Sequence, residues 1–423
     1  MVQLSRCGPS VSRLLREIAV LPGPRGVQAV LAALVEAVAG GPAIAPVPVA
    51  GDGSLNTYAT RIRTAVKADD PGAPLENPDV LVVVPTSGST GDPKGVLLTE
   101  TGMRAASAGV EYLLKGPGDW VVAMPVHGAG GMMVLARSVF AGTHIHVDPS
   151  VGGAQAFDPA TFAGTVSKAR EMAGTKRLYC SLVPTQLQRV IDSGDSGFST
   201  LRKLDAILVG AAAAPVQLLK MLRDSGIPVH ESYGMTETSG GCAFDGVPLP
   251  GVAITTDAPD GRSLGRLIVA APQVAVGYRL RDSPELTGGR VLTADVGTVA
   301  LDGRVRLVGR IDDIVTVGGT NVSLPAVAAT LQTVPGIQDA CVVAVPDPRW
   351  GSRLVAYVIT NGHATDRLTE QATDVVREQL GRAAVPRTYV LDSTARTLLS
   401  NGIPVLPTGK PDRARLRSDA QLR

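Results

Sequence analysis

The sequence predicts an α/β fold: a large N-terminal domain of mixed and parallel sheets flanked by helices, followed by a small α+β domain. Short apolar runs rich in β-branched residues alternate with helical windows, which is typical of strands joined by crossover helices. The length of 423 residues exceeds one ordinary core. The pattern changes after about Gly265, and the segment Gly309–Asp313 follows a predicted hairpin, so we predict an N-terminal domain at 1–309, a hinge at 310–313 and a C-terminal domain at 314–423.

In the N-terminal part, helices are predicted where apolar residues recur at helical spacing, and strands where a few apolar residues run together. The predicted helices are Val27–Val38, Met132–Phe140 and Pro184–Ile191. The predicted strands are Val80–Val84, Val121–Met124, His144–Val147 and Ala206–Val209. Since buried strands alternate with helices, the sheets are expected to be at least partly parallel.

The predicted N-terminal domain ends with a hairpin signal. Asp302-Gly303 separates the strand-like segments Val296–Leu301 and Arg304–Val308, and Asp-Gly favours a tight turn. The elements predicted beyond it are the strands Cys341–Val345 and Leu354–Val358 and the helices Leu324–Val334 and Glu370–Leu380. Gly381 is suited to end the last helix.

Composition excludes several classes of protein. Hydrophobic residues make up 44% and charged residues 18%, which indicates a globular protein. The net charge of +2 provides no electrostatic footprint for nucleic acid, and no apolar run is long enough for membrane insertion. Residues 1–26 lack the continuous apolar stretch of a secretion signal. The four dispersed cysteines predict free thiols in a cytoplasmic protein; a homo-oligomer is neither indicated nor excluded.

A segment rich in glycine and hydroxyl side chains follows the strand Val80–Val84 and ends in a lysine. Its candidate binding residues are Thr86, Ser87, Gly88, Ser89, Thr90, Gly91 and Lys94. Glycines let backbone N–H groups approach an anion, hydroxyls add donors and the lysine adds charge. The segment is not a Walker P-loop, because Pro93 and Gly95 stand where that motif needs Gly and Ser or Thr. A polar surface loop is the alternative, but the position after a buried strand favours a triphosphate.

Two further motifs suit a nucleotide. The segment Tyr233–Thr238 combines a ring that can stack on a base with the hydroxyl of Thr236 and the carboxylate of Glu237, which can hold Mg²⁺. Asp295 and Arg310 bracket the predicted hairpin, where a carboxylate can accept from ribose hydroxyls and a guanidinium offers several donors. Taken singly, the first motif is more commonly a surface turn and the second a structural ion pair.

Lys410 lies in the segment Pro407–Asp412 and is the only lysine after Lys220. Arginine is used everywhere else in this half of the chain, so one retained ammonium between Gly409 and Pro411 indicates a functional group. Without the other motifs, a solvated charge near the C-terminus would be the better explanation.

In this order, the motifs resemble those of the adenylate-forming superfamily of acyl-CoA synthetases, peptide-synthetase adenylation domains and luciferases. The resemblance runs from about Asp79 to Arg413. The segment 209–212, which contains Gly210 and Ala211, resembles the family's glycine turn beside adenine, and the segment 343–351 resembles its C-terminal signature. Ala294, Thr320 and Thr408 depart from the family pattern without removing a reacting group.

The resemblance implies two half-reactions that use ATP, Mg²⁺ and coenzyme A. A carboxylate attacks the α-phosphorus of ATP and releases pyrophosphate; a thiol then attacks the acyl-adenylate. By resemblance, Lys410 contacts the carboxylate and α-phosphate, Thr236 contacts an α-phosphate oxygen, and Glu237 holds Mg²⁺. The remaining implied nucleotide ligands are the loop 86–94, Gly210 and Ala211, Tyr233 on adenine, and Asp295 with Arg310 on ribose.

The resemblance also implies a mobile C-terminal domain. It would rotate about Asp312 between the half-reactions, withdrawing Lys410 and presenting Gly318-Gly319 to coenzyme A.

Within the superfamily, the short N-terminal region and the segments 126–131 and 181–186 most resemble the o-succinylbenzoate–CoA ligases. The small-molecule carboxylic acid would then meet a pocket containing His127, Gly131, Ser181 and Gly240. A generic aryl- or fatty-acyl-CoA ligase is the first alternative, and an amino-acid adenylation enzyme the second. A nucleotide-binding regulator without catalysis is disfavoured, because binding alone does not need both Glu237 and Lys410.

Overall fold

The protein is described by a computed structural model, and its chain divides into two compact units. The structure describes residues 13–67, 74–86, 93–360, 366–395, 397–400, 402–405 and 411–423. The first unit comprises Met1–Ala214, Leu218–Ile254 and Ile268–Leu292. The second comprises Pro215–Gln217, Thr255–Leu267 and Thr293–Arg423. The segment 310–313 lies within the second unit, and its role as a hinge stays a prediction.

The first unit begins with a four-stranded sheet in the order β1-β2-β3-β4. Its strands are β1 (Leu15–Val20), β2 (Ala43–Pro48), β3 (Val80–Pro85) and β4 (Gly95–Thr99). Its helices are α1 (Pro24–Val38), α2 (Thr57–Val66) and α3 (Glu100–Leu113). The first three strands are parallel and β4 is antiparallel to β3. The predicted helix in α1 and the predicted strand in β3 are confirmed.

A seven-stranded sheet forms the rest of the first unit's framework. Its strands are β5 (Asp119–Val122), β6 (Ile145–Val147), β7 (Leu178–Leu182), β8 (Ala206–Val209), β9 (Val229–Met235), β10 (Gly240–Phe244) and β11 (Val247–Pro248). The order is β11-β10-β9-β8-β7-β5-β6, with β5 to β9 parallel and β10 and β11 antiparallel.

Helices connect the parallel strands of this sheet. They are α4 (Ala129–Ala141), α5 (Pro159–Ala173), α6 (Pro184–Asp192), α7 (Asp195–Leu201) and α8 (Val216–Asp224). Aliphatic side chains of β7 and β8 pack with those of α5 to α8 in one buried cluster. Because β5 to β9 are parallel, their carboxyl ends lie at one edge of the sheet, where ligands of α/β proteins commonly bind.

The predicted strand Val121–Met124 is correct in kind but shifted in position. The strand is Asp119–Val122, because Asp119 and Trp120 are buried and pair with β7. The chain leaves the sheet ahead of Pro125, which has no N–H to donate.

Three of the five unit boundaries fall within strands, namely β12 (Ala253–Thr256), β13 (Gly265–Ala270) and β15 (Arg290–Val299); the other two flank Pro215–Gln217. In the first unit, β14 (Leu286–Thr287) pairs with the start of β15. In the second unit, the end of β15 pairs with β16 (Val305–Arg310). The predicted Asp302-Gly303 turn is confirmed, since Ala300 N donates to Arg304 O over 2.8 Å and Gly303 has φ +84°.

The remaining elements of the second unit follow in chain order. They are β17 (Ile314–Val317), β18 (Thr320–Ser323), α9 (Leu324–Leu331), β19 (Ile337–Asp347), β20 (Gly351–Thr360), α10 (Asp366–Leu380), β21 (Thr388–Leu391) and α11 (Arg413–Leu422). Helix α9 ends three residues earlier than predicted: Thr333 N and Val334 N donate to carbonyls only three residues back, and Pro335 disfavours helical geometry at Val334. Gly381 ends α10 as predicted, with φ +85°.

Strands β19, β20 and β21 form a sheet with a core on each face. Because side chains alternate along a strand, Val342 and Leu354 join the core with α9 and α10, whereas Val343 and Val355 join the core with α11. Both predicted strands of this region are confirmed.

Within the described ranges, every helix is too short or too polar to cross a membrane. The described cysteines, Cys180, Cys242 and Cys341, are all buried.

Candidate active site

Several predicted site residues lie outside the described residues. They are Ser87, Gly88, Ser89, Thr90, Gly91 and Lys410. Their roles stay predictions.

The carboxyl edge of the seven-stranded sheet brings together predicted residues of the first unit. Ser181 is buried near the end of β7, Gly210 follows β8, and Tyr233 lies in the neighbouring strand β9. A Cβ at Gly210 would lie 3.2 Å from Ser232 Cβ, so the close approach of this turn to β9 favours glycine. Ala211 adopts φ +67°, a conformation uncommon for a residue with a Cβ.

Thr236 and Glu237 lie in a 3₁₀ turn, Thr236–Thr238, between β9 and β10. The buried hydroxyl of Thr238 accepts from Met235 N over 3.0 Å and donates to Gly240 O over 2.7 Å. These bonds close the turn, which carries Thr236 and Glu237 at its start.

Glycine is required where β9 and β10 cross most closely. A Cβ at Gly234 would lie 2.0 Å from Gly240 O, and one at Gly241 would lie 2.5 Å from Ser232 Oγ. In the segment 234–237, Gly234 is therefore required because a side chain would clash with β10, and Thr236 and Glu237 supply the polar groups.

Gln273, which sequence reasoning missed, holds the turn from a distant part of the chain. Its side chain is 3% exposed, and its amide donates to Thr238 O over 2.6 Å and to Gly241 O over 3.2 Å. Ser239 Oγ donates to Gln273 O over 2.9 Å. No local sequence signal could have found it, because its partners are about thirty residues away.

The base of the predicted phosphate loop is closed by two hydrogen bonds. Thr86 N donates to Lys94 O over 2.8 Å, and Lys94 N donates to Thr86 Oγ1 over 3.2 Å. The two ends of the loop are therefore held together across the start of the β3–β4 pair.

Lys94 and Glu237, predicted for phosphate and metal, lie on either side of Tyr278. Lys94 Nζ is 4.3 Å from the centroid of the Tyr278 ring and 3.1 Å from Glu285 Oε1. Tyr278 donates its hydroxyl to Glu237 Oε1 over 2.9 Å. Burial, followed by the negative charges of Glu237 and Glu285, raises the pKa of Tyr278, so the phenol stays protonated and donates. Sequence reasoning missed Tyr278 and Glu285.

Glu237 fits a metal ion that arrives with a nucleotide. Among the described residues, no three His, Cys, Asp or Glu side chains form a cluster that could hold a metal. Mg²⁺ commonly binds through one or two carboxylates and takes its other ligands from phosphates and water. A single carboxylate beside a predicted triphosphate loop suits that coordination.

The predicted acid pocket includes His127, whose ring packs edge-on against Tyr58 with centroids 6.4 Å apart. Burial lowers the pKa of His127 to about 4, so the imidazole is neutral at pH 7. A Cβ at Gly131 would lie 2.4 Å from Pro125 O, which requires glycine at the start of α4. Gly240 has φ +86° and packs near Met133 of the same helix.

In the second unit, Asp295 and Arg310 face each other across the β15–β16 pair. Arg310 Nη1 donates to Asp295 Oδ1 over 3.2 Å, and Arg310 Nη2 lies 3.7 Å from Asp312 Oδ2. The hairpin thus pairs the two residues predicted for ribose, and the same pair also explains them as a structural ion pair.

Gly318 and Gly319 form the turn between β17 and β18, with φ of +56° and +81°. A two-residue turn with both φ values positive suits a twisted hairpin and favours glycine. A Cβ at Gly318 would lie 2.8 Å from the ring of Trp350, whose carbonyl accepts from Gly318 N over 2.8 Å.

Trp350 presents an exposed ring beside this turn. It is 37% exposed, and the guanidinium carbons of Arg349 and Arg387 lie 5.4 and 5.3 Å from the ring centroid. Trp350 lies within the segment 343–351, which resembles the family's C-terminal signature, and no role is predicted for it from sequence.

Known proteins match most of this chain in sequence. The model of the family described as AMP-binding enzyme matches residues 18–279, and that of the AMP-binding enzyme C-terminal domain matches residues 326–397. A probable 2-succinylbenzoate–CoA ligase of Mycobacterium tuberculosis (strain ATCC 25618 / H37Rv) is 34% identical over 89% of this chain and 90% of its own length. A 2-succinylbenzoate–CoA ligase of Geobacillus kaustophilus is 30% identical over 75% of this chain and 66% of its own length.

Solved structures share the fold. The o-succinylbenzoate CoA synthetase (MenE) of Bacillus subtilis, in complex with the acyl-adenylate intermediate OSB-AMP, has a TM-score of 0.74 at 21% identity and covers 96% of this chain and 89% of its own. The amide bond synthetase McbA of Marinactinospora thermotolerans has a TM-score of 0.77 at 24% identity, with 98% and 91% covered. These likenesses confirm the predicted α/β fold class.

The depressed pKa of His127 predicts a pH-dependent stability. The folded protein binds this proton only below about pH 4, whereas an unfolded histidine binds it below about pH 6.5. The contribution of neutral His127 is therefore present above pH 6.5 and lost as the pH falls from 6.5 toward 4. Replacement His127→Gln should make the melting temperature fall less steeply across that range.

Melting temperatures from pH 7 to pH 4.5 test this. The matched control is His144→Gln, at a side chain that is 70% exposed, and its slope is compared with that of His127→Gln. Equal slopes for His127→Gln and wild type would contradict the assigned burial of the imidazole.

Proposed function

The chain belongs to the AMP-binding enzyme family, and from that membership we propose that it is an ATP-dependent, AMP-forming carboxylate–CoA ligase. Its proposed acid is 2-succinylbenzoate, converted to 2-succinylbenzoyl-CoA for menaquinone biosynthesis. The observation that carries the proposal is the 34% identity, over 89% of this chain, with the probable 2-succinylbenzoate–CoA ligase of Mycobacterium tuberculosis. The small number and dispersed positions of the four cysteines suit the reducing cytoplasm in which we propose the enzyme works.

In the first proposed half-reaction, a substrate carboxylate oxygen bonds to the α-phosphorus of ATP and pyrophosphate leaves. Both reactants are anions, so the protein must neutralise charge and hold them in line. Lys94 and the loop before it are proposed to bind the β- and γ-phosphates, and Lys410 to lie between the carboxylate and the α-phosphate. Thr236 donates to the α-phosphate in this proposal. Mg²⁺ held by Glu237 would neutralise phosphate charge.

In the second proposed half-reaction, the coenzyme A thiol adds to the acyl carbonyl carbon and AMP leaves. We propose that Gly318-Gly319 and the adjoining ring of Trp350 contact coenzyme A, with Asp312 as the hinge residue. An exposed indole between two guanidiniums offers a base a stacking surface and offers phosphates positive charge. The geometry of the second unit supports this by placing the ring directly against the glycine turn.

A generic aryl- or fatty-acyl-CoA ligase is the alternative, and the choice of acid separates it from the proposal. 2-Succinylbenzoate brings two carboxylates, and only one forms the adenylate. The other must be matched by donors, because an unpaired buried charge is costly. Analogues without it should leave those donors unpaired and react poorly.

The experiment compares kcat/KM for 2-succinylbenzoate, benzoate and a medium-chain fatty acid in a coupled pyrophosphate assay, with and without coenzyme A. We expect the diacid to exceed each of the others by at least about a hundredfold, or roughly 2.7 kcal/mol. Benzoate or the fatty acid reacting as well as the diacid would reject the proposed substrate and favour the generic ligase.

Replacement Glu237→Gln keeps the side-chain shape and removes the charge that is proposed to hold Mg²⁺. Adenylation, measured as acid-dependent exchange of pyrophosphate into ATP, should fall at least about tenfold, or roughly 1.4 kcal/mol. The matched control is Glu36→Gln, at a side chain in α1 that is 54% exposed. An unchanged rate and Mg²⁺ requirement in Glu237→Gln would reject the metal role.

Replacement Trp350→Ala should weaken coenzyme A binding and spare adenylation. The loss of one stacked ring costs about 1–3 kcal/mol, so KM for coenzyme A should rise at least about fivefold. Trp350→Phe should recover most of the affinity, and Leu301→Ala, at an exposed hairpin residue, should change neither step. If pyrophosphate exchange without coenzyme A falls as far as thioester formation, the ring does not act on coenzyme A.

A further inference from the structure

One short backbone segment is hydrogen-bonded to both motifs of the first unit that are proposed to hold the nucleotide. Ala275 N donates to Glu237 O over 2.8 Å. Leu97 N donates to Gly277 O over 3.0 Å, and Arg279 N donates to Gly95 O over 2.7 Å. The segment 275–279 therefore lies between the turn that carries Glu237 and the strand that follows the phosphate loop.

Tyr278 stands in the middle of this segment and is 5% exposed. Its backbone N donates to Ser283 Oγ over 2.9 Å, which secures the main chain at this point. A buried tyrosine hydroxyl normally finds a partner, and here the partner is Glu237 Oε1 at 2.9 Å. The hydrogen bond joins residues 41 positions apart.

The ring of Tyr278 contacts a second predicted site residue, Lys94. The ammonium lies over the tyrosine ring at 4.3 Å from its centroid, a cation–π distance, while Glu285 accepts from it over 3.1 Å. One rigid side chain therefore contacts both the Lys94 ammonium, which is proposed to bind phosphate, and the Glu237 carboxylate, which is proposed to bind the metal.

We propose that Tyr278 is a positioning residue for adenylation, whose hydroxyl orients the Glu237 carboxylate toward Mg²⁺ and whose ring orients Lys94 toward the triphosphate. The inference rests on the proposed function of this site. A carboxylate that binds a metal is commonly held by a second hydrogen bond, and loss of that bond typically costs 10–100-fold in metal affinity or activity.

Replacement Tyr278→Phe removes the hydroxyl and keeps the ring under Lys94. Binding of a non-hydrolysable ATP analogue, followed by calorimetry over a series of Mg²⁺ concentrations, gives a readout without turnover. The Mg²⁺ concentration for half-maximal enhancement of binding should rise about tenfold. Binding of the analogue without Mg²⁺ should change less than about twofold, because Lys94 keeps its position beside the ring.

The matched control is Tyr357→Phe in the second unit. Tyr357 is also buried and also donates to a carboxylate, Asp419 Oδ2, over 2.7 Å. It should lower stability without changing the Mg²⁺ requirement. If Tyr278→Phe likewise lowers the melting temperature and leaves the Mg²⁺ requirement unchanged, Tyr278 has a structural role only and the inference is wrong.

A double-mutant cycle separates action through Glu237 from an independent effect. In the Glu237→Gln background, Tyr278→Phe should cause no further loss in Mg²⁺-dependent binding, because the group it orients has already lost its charge. Losses that multiply would overturn the inference. If none of the tested acids supports pyrophosphate exchange by the wild type, the proposed function fails. The Mg²⁺ titration of analogue binding would still test the role of Tyr278.

Discussion

Parallel strands of one sheet all end at the same edge, and the arrangement of the first unit depends on this constraint. Strands β5, β7, β8 and β9 are joined by helices, so the loops that follow them lie side by side. His127 follows the first of these strands, Gly210 follows β8, and Thr236 follows β9. Residues that are spread over more than a hundred positions of sequence, and are not neighbours in the chain, are therefore brought to the same edge of the sheet.

The edge requires glycine wherever backbones approach closely. Gly131 lies against Pro125 O and Gly234 lies against Gly240 O, both at distances that a side chain could not occupy. These contacts shape the turns, and buried polar groups then hold them. Thr238 and Gln273 satisfy the backbone of the β9–β10 turn from inside, which keeps Glu237 at the edge of the site rather than in the core.

The charged side chains beside this turn are also held by specific contacts. Lys94, Tyr278, Glu237 and Glu285 form one network in which each charged group has a defined neighbour. A phenol that stays protonated is suited to lie between a cation and a carboxylate, because its ring attracts the first and its hydroxyl donates to the second. In the second unit, Gly318 and Gly319 form a tight turn, and the ring of Trp350 packs against that turn.

The sequence by itself determined the fold class, the family resemblance and most elements, since each depends on local periodicity or on contiguous motifs. Val80–Pro85 is a run of buried residues, and Asp302-Gly303 is a turn signal that needs no distant partner. Boundaries moved where proline interrupts a ladder or a helix, as beside Pro125 and Pro335. Tertiary structure alone decided the roles of Gln273 and Tyr278. Their hydrogen bonds reach partners 32 to 41 positions away, and no spacing rule links residues that meet only when separate strands pack.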